Sequence, residues 1–220
     1  MNSLNTVRRV SKPILFIVTL SCFLYFNCDR NPIKYSNDGG FTVIDYHPTW
    51  SPDGRTIAYN HGDTSLNLSG IYLIDTNGSN KKQLISGFTN TPDWSHNGFY
   101  FVCQFYDWRT GGDSEIAIIY NNGIVKKILT LNNNIDLYPK FSPDDSKVLF
   151  TQEAYEGINM QLYSIDADGT NLRRLTDNTQ GYTADYSPDD QYIVYCNSSP
   201  DDGRLWIMKE DGSFKKQLTH

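Results

Sequence analysis

Trp50-Ser51-Pro52-Asp53-Gly54 decides how this chain is read, because the same five-residue pattern occurs four times. It returns as Trp94-Ser95-His96-Asn97-Gly98, as Phe141-Ser142-Pro143-Asp144-Asp145 and as Tyr186-Ser187-Pro188-Asp189-Asp190. The serines stand 44, 47 and 45 residues apart. A period of this size marks a repeat architecture, in which no single unit can bury its own apolar side.

Working outward from each anchor, every repeat holds four short strand-like pieces. In the first, Pro48–Ser51 leads through the Pro52-Asp53-Gly54 turn into Thr56-Ile57-Ala58-Tyr59. A polar loop from His61 to Gly70 follows, then Ile71-Tyr72-Leu73-Ile74, a turn at Asn77-Gly78, and Gln83-Leu84-Ile85. Pro presets φ, Gly accepts positive φ, and Asn-Gly is a strong hairpin signal. The second pieces of the later repeats are Tyr100–Cys103, Lys147–Phe150 and Tyr192–Tyr195, and the third pieces Ile116–Ile119, Leu162–Ile165 and Leu205–Met208. Their turns fall at Asn122-Gly123, Asp168-Gly169 and Asp211-Gly212, and their last pieces at Lys127–Leu129, Arg174–Thr176 and Gln217–Thr219. Short runs rich in β-branched and aromatic residues, bounded by turns, are strands. Four strands per repeat is the arithmetic of a propeller blade, so the fold class is all-β: a β-propeller over residues 41–220, with blades at about 48–87, 92–131, 138–176 and 184–219.

An aromatic-Ser-Pro-Asp-Gly, an apolar strand, Ile-Tyr-x-Ile-Asp-x-Asn/Asp-Gly and Lys/Arg-x-Leu-Thr together resemble the TolB-type β-propeller repeat, a relative of the WD repeat found largely in exported bacterial proteins. The resemblance covers about residues 41–219 and implies the fold; its residues hold blades together. TolB itself has a further N-terminal domain and six repeats, so the likeness is to its propeller. Two architectures stay open for four blades: a closed ring, or an open arc completed by a second copy, since unpaired edges invite association. Phe41-Thr42-Val43-Ile44 is available as an additional strand over one end.

Before the repeats, Arg8, Arg9 and Lys12 precede an apolar run from Ile14 to Phe26, shorter than the roughly 20 residues a spanning helix needs. This is the pattern of an export signal over residues 1–27, followed by a polar linker over 28–40. The run ends at Asn27-Cys28, which resembles a bacterial lipoprotein signal with Cys28 as the acylated first residue; Cys22 ranks second. An ordinary secretory signal and an uncleaved anchor are the alternatives. All three place the body outside the cytoplasm, in the periplasm or at the outer membrane or cell surface.

Net charge is −6, and the basic residues of the signal make the remainder more acidic still. That balance argues against phosphate-neutralising contact with nucleic acid and against a polybasic membrane surface. Asp53, Asp144 and Asp189 sit in turns, where bonding to local backbone is the expected role. Asp166-Ala167-Asp168-Gly169 lacks the other positions of a calcium loop and reads as a hairpin turn. His47, His61, His96 and His220 show no metal spacing, and neither a G-x-S-x-G elbow nor a phosphate-binding glycine loop occurs. No catalytic residue, metal or cofactor is assigned. Cys103 and Cys196 lie eight and nine residues after their anchors, facing opposite sides of strands two blades apart, so two buried free thiols are expected.

Function is left to the loops, which in such folds carry it while the blades provide the scaffold. Those between second and third strands share one face. The candidate residues there are Tyr106, Asp107, Trp108, Arg109, Tyr155, Glu156 and His61, beside Asp201-Asp202. Tyr, Trp and Arg are the types enriched at interface hot spots. The expectation is a non-enzymatic scaffold binding a protein or peptide of the cell envelope. The alternatives are a carbohydrate-active propeller enzyme, the detached propeller part of a serine peptidase, and a module for homotypic assembly.

Overall fold

Four turns of one design set the strands. The backbone N–H of each anchor serine donates to the carbonyl five residues on, from Ser51 to Thr56 at 2.8 Å and likewise from Ser95 to Tyr100, Ser142 to Lys147 and Ser187 to Tyr192. Its hydroxyl accepts the N–H of that same residue at 2.9–3.0 Å. The hydroxyl also donates to the side chain two residues on: Asp53, Asn97, Asp144 or Asp189. That side chain accepts the N–H of Arg55, Phe99, Ser146 or Gln191 in turn. The last turn position, Gly54, Gly98, Asp145 or Asp190, takes φ between 59° and 77°, which Gly adopts freely and Asp tolerates. The expected local role of the repeated aspartates is what the structure has. Hydrogen bonds from serine and backbone hold all three carboxyls below their ordinary range, Asp144 at about 2.

The computed structural model describes residues 43–63, 68–87, 89–106, 113–153, 160–177, 181–197 and 203–220. Residues 1–27, Cys28 and the linker 28–40 lie outside them. Every regular element among the described residues is a strand. Blade 1 is β1 (Val43–Trp50), β2 (Thr56–Asp63), β3 (Leu68–Asp75) and β4 (Lys82–Ser86). Blade 2 is β5 (Thr89–Trp94), β6 (Tyr100–Tyr106), β7 (Ser114–Tyr120) and β8 (Val125–Ile128). Blade 3 is β9 (Ile135–Phe141), β10 (Lys147–Glu153), β11 (Met160–Asp166) and β12 (Arg173–Arg174). Blade 4 is β13 (Tyr182–Tyr186), β14 (Tyr192–Asn197), β15 (Arg204–Lys209) and β16 (Lys216–Gln217). Each is one antiparallel sheet with its strands in chain order. Val43 and Ile44 belong to β1, opposite Asp63 and Gly62 of β2, so they open the first blade and do not form an additional strand.

First strands begin earlier than their apolar pieces because the ladder is made by backbone, which polar side chains do not prevent. Each contains a β-bulge. His47, Thr91, Tyr138 and Thr183 lie four residues before their anchors and take φ of 49°, 44°, 53° and 38°, at or beside shifts in pairing register. Positive φ in a threonine is strained, so its recurrence needs support from neighbours. Asn60 of blade 1 supplies some: its Oδ1 accepts the Thr91 N–H at 2.8 Å, and its Nδ2 donates to Thr89 O at 2.7 Å. The Leu-Thr pairs also acquire a use. Thr130, Thr176 and Thr219 accept the N–H of Ile116, Leu162 and Leu205 at 2.8–2.9 Å, tying the last strand to the third.

Three hydrophobic cores lie between four blades. Ala58, Ile71 and Leu73 of blade 1 meet Phe101, Cys103 and Ile119 of blade 2. Val102, Ile116, Ile118 and Leu129 meet Phe141, Val148, Phe150 and Ile165. Leu149, Leu162 and Leu175 meet Tyr186, Ile193, Tyr195 and Met208. At each junction the first strand of one blade packs on the second and third strands of its predecessor: β5 on β2 and β3, β9 on β6 and β7, β13 on β10 and β11. Among the described residues blades 4 and 1 are not joined in this way, so of the two architectures the arc is the one observed. Both thiols are free. Cys103 is buried, which pushes its pKa up to about 12, whereas Cys196 is only half-buried because it lies on the face of blade 4 turned away from blade 3, which no other described blade covers.

Ser142→Ala removes the two turn-closing bonds of a fully buried serine and is expected to cost about 1–3 kcal/mol in urea unfolding. Asp144 has its folded pKa lowered, so its contribution is fully present above about pH 4 and lost as pH falls toward 2. The stability gap between wild type and Asp144→Ala should therefore narrow across that window in unfolding curves.

Candidate protein-binding face

Antiparallel pairing brings the end of each second strand, the start of each third strand and the linkers between blades to one end of the arc. The predicted face is at this end, but its residues fare differently. Asp107, Trp108, Arg109, Tyr155 and Glu156 lie outside the described residues, as do Asp201 and Asp202. The first three fall between the end of β6 and the start of β7, the next two between β10 and β11. Tyr106 closes β6 opposite Ser114, half-buried.

His61 requires a correction. It lies inside β2, buried, and directly opposite Asp45 of β1. Its Nδ1 donates to Asp45 Oδ1 at 2.6 Å, and its ring centroid lies 4.7 Å from that of Tyr72. The Lys81 ammonium spans the rings of Tyr72 and Tyr59 at 5.4 and 5.8 Å from their centroids. The polar run suggested a loop, yet β2 continues to Asp63 because β1 pairs with it residue by residue. His61 is thus part of blade 1 and not of a binding loop.

Two acids that the sequence did not single out sit at this end, fully buried. Glu115, at the start of β7, accepts from the Thr130 hydroxyl at 2.9 Å and the Asn132 N–H at 3.2 Å. Asp136 of β9 accepts from Gln152 Nε2 at 2.8 Å and Asn132 Nδ2 at 3.0 Å. Burial raises both pKa values, and the Asp136 and Asp113 charges push Glu115 further. Burial likewise raises Glu153, at the end of β10. Ser114 Oγ donates to the Asp136 carbonyl at 2.8 Å, so this cluster stitches blade 2 to blade 3.

Nearer the turns, the residue two before the anchor in blades 2, 3 and 4 forms a second line: Asp93, Lys140 and Asp185. Lys140 Nζ reaches Asp93 Oδ1 at 2.7 Å, and Asp93 Oδ2 accepts the Phe141 N–H at 2.9 Å. Burial works against the ammonium, but Asp93 outweighs it and the Lys140 pKa is raised. Burial also raises Asp185, with Lys140 opposing. Reading one register position across the last three repeats, rather than each repeat along its length, exposes this alternation of charge; the first repeat has Thr49 there.

His96 stands where the other three repeats have the turn proline. The replacement restores an N–H, which donates to Asp145 Oδ1 of blade 3 at 2.7 Å, while the Asn97 N–H donates to Oδ2 at 2.9 Å. His47 pairs with Asn90 and His61 with Asp45, so these three histidines serve three separate contacts. A cleft of about 540 Å³ lined by Thr56, Leu73, Asp75, Asn80, Lys81, Lys82 and Trp94 opens between blades 1 and 2 at the opposite end from the loop face.

Replacing Glu115 with Gln removes one of two facing buried charges, and the Thr130 hydroxyl can rotate to keep its bond. A raised carboxyl pKa means the cost of ionisation is present above it and relieved as pH falls. Glu115→Gln should therefore be more stable than wild type at pH 7, with the advantage vanishing on acidification through the carboxylate range, as read by thermal unfolding.

Residues 42–220 match the family model described as TolB beta propeller domain. A protein TolB homolog of Chlorobium luteolum is 29% identical over 126 residues, covering 56% of this chain and 27% of the relative. The crystal structure of TolB from Acinetobacter baumannii superposes with a TM-score of 0.68 at 24% identity, over 80% of this chain and 44% of that one. An oligogalacturonate lyase in complex with manganese superposes with a TM-score of 0.65 at 10% identity, over 81% and 54%. The two structures share the fold. This chain spans about a quarter of the Chlorobium relative and less than half of the Acinetobacter protein.

Proposed function

The chain belongs to the TolB β-propeller domain family, and from that premise we propose that it is an exported, non-enzymatic envelope protein whose loop face binds a protein or peptide. The observation that carries this reading is topological. The connections β2–β3, β6–β7, β10–β11 and β14–β15 all leave the same end of the blades, where small changes in loop sequence alter a surface without disturbing the three cores. Tyr106, Asp107, Trp108 and Arg109 supply the aromatic and guanidinium anchors, and Tyr155 and Glu156 belong to the connection that follows β10. Half-buried Asp113 and Glu153 make the surrounding rim acidic, which suits a partner presenting a basic segment and disfavours nucleic acid. Cys28 acts as a lipid attachment point that holds the propeller at the membrane in the periplasm or at the cell surface.

Two measurements test this. Trp108→Ala and Arg109→Ala should abolish capture of a partner from an envelope extract while leaving the melting temperature within a degree or two, as loop substitutions do. Unchanged capture, or loss of the fold, rejects the site. Intact mass of the exported protein should show a mature N-terminus at Cys28 carrying added acyl chains; an unmodified terminus removes the anchor from the proposal.

A further inference from the structure

The three internal junctions define what each face of a blade requires. Toward its successor, a blade presents the residue seven after its anchor serine, the third-strand residue paired opposite the position nine after that serine, and, in blades 2 to 4, the leucine just after its last strand. Ala58, Val102 and Leu149 are 0, 0 and 1% exposed, and Ile71, Ile116 and Leu162 are each 0% exposed. Leu129 and Leu175 are 9 and 4% exposed. Their equivalents in blade 4, Val194, Leu205 and Leu218, are 37, 42 and 45% exposed and share one face of the sheet with half-buried Cys196. Toward its predecessor, a blade presents the aromatic residue before the anchor. Phe141 and Tyr186 are 3 and 8% exposed and Trp94 packs into the first core, yet Trp50 is 62% exposed.

The two bare faces complement each other in charge as well. Between blades 2 and 3, Glu115 lies against Asp136, a pair of like charges. The corresponding positions are Arg204 on blade 4 and Asp45 on blade 1, opposite charges, and the Asp45 side chain is 54% exposed. Cys196 occupies the place of Asn60, which receives the bulge N–H of the next blade; the bulge residue of blade 1 is His47.

We propose that the outer face of blade 4 seats blade 1 of a second copy of this chain, head to tail, with Trp50 against Val194, Leu205 and Leu218 and Asp45 beside Arg204. Each copy keeps one face of each kind, so association proceeds until the rotation closes. The occupant is a second copy because the fitting surface is the chain's own first blade, and the same junction is already made three times within it.

The experiment uses the full chain in detergent with Cys22→Ser, Cys28→Ser and His47→Cys, mildly oxidised. The thiol introduced at position 47 should cross-link to Cys196 of another copy, giving a band of twice the mass on a non-reducing gel, and light scattering should report more than one chain per particle. Leu205→Lys and Trp50→Asp, both at exposed positions, should each return the particle to one chain and abolish the cross-link without changing the circular dichroism spectrum. A cross-link within one chain would mean that blade 4 closes on its own blade 1 and would overturn the proposal. So would a single-chain particle with no cross-link, or multimers that survive Leu205→Lys and Trp50→Asp.

Discussion

A four-stranded sheet that is apolar on both sides cannot be stable by itself, and everything in this protein follows from that constraint. Each blade shields its apolar residues only by lying against the next one, so the unit of stability is the junction between blades. The junction is built in layers. Apolar side chains of second and third strands fill its middle. At one end Asn60 supports the strained bulge of the following strand and Ser114 reaches across to the Asp136 carbonyl. At the other, Asp93 takes both Lys140 and the Phe141 N–H, and Asp145 takes two N–H groups of the preceding turn. Burying such polar groups is tolerable because nearly all their capacity is used.

The repeated pentapeptide matters because it makes a strand turn back without a template. Serine closes the turn twice over, through backbone and hydroxyl, and the acid two residues later holds that hydroxyl in place. Asn97 shows that the negative charge is dispensable where an amide oxygen offers the same geometry. The charge matters more at the position after it. In blade 3 that position is Asp145, which reaches the preceding blade through an N–H available only because His96 stands where the other repeats have proline. In blade 4 the equivalent residue is Asp190, the preceding turn has Pro143 in the place of His96 and so no N–H to give there, and one buried oxygen of Asp190 has no partner.

Strand content, blade count and the role of the turn aspartates were legible because they depend on local chemistry that repeats. Ends of strands were not. His61 and Asp45 look like loop residues in one dimension and are paired neighbours in three. Burial of Glu115 and Asp136 was equally hidden, since each acid is unremarkable until the blade carrying the other arrives beside it. The charged line of Asp93, Lys140 and Asp185 had a signal in the register of the repeats, visible only on reading down the columns. Whether blades 1 and 4 meet depends on the rotation between blades, which no residue type encodes.

An array in which every junction is the same junction has a consequence for its ancestry. Copying one segment of about 45 residues adds one blade and one core, and the neighbours need no compensating change because the new face matches the old. Gene duplication and deletion thus become nearly neutral moves, and blade number drifts more readily among descendants than the residues of a single turn.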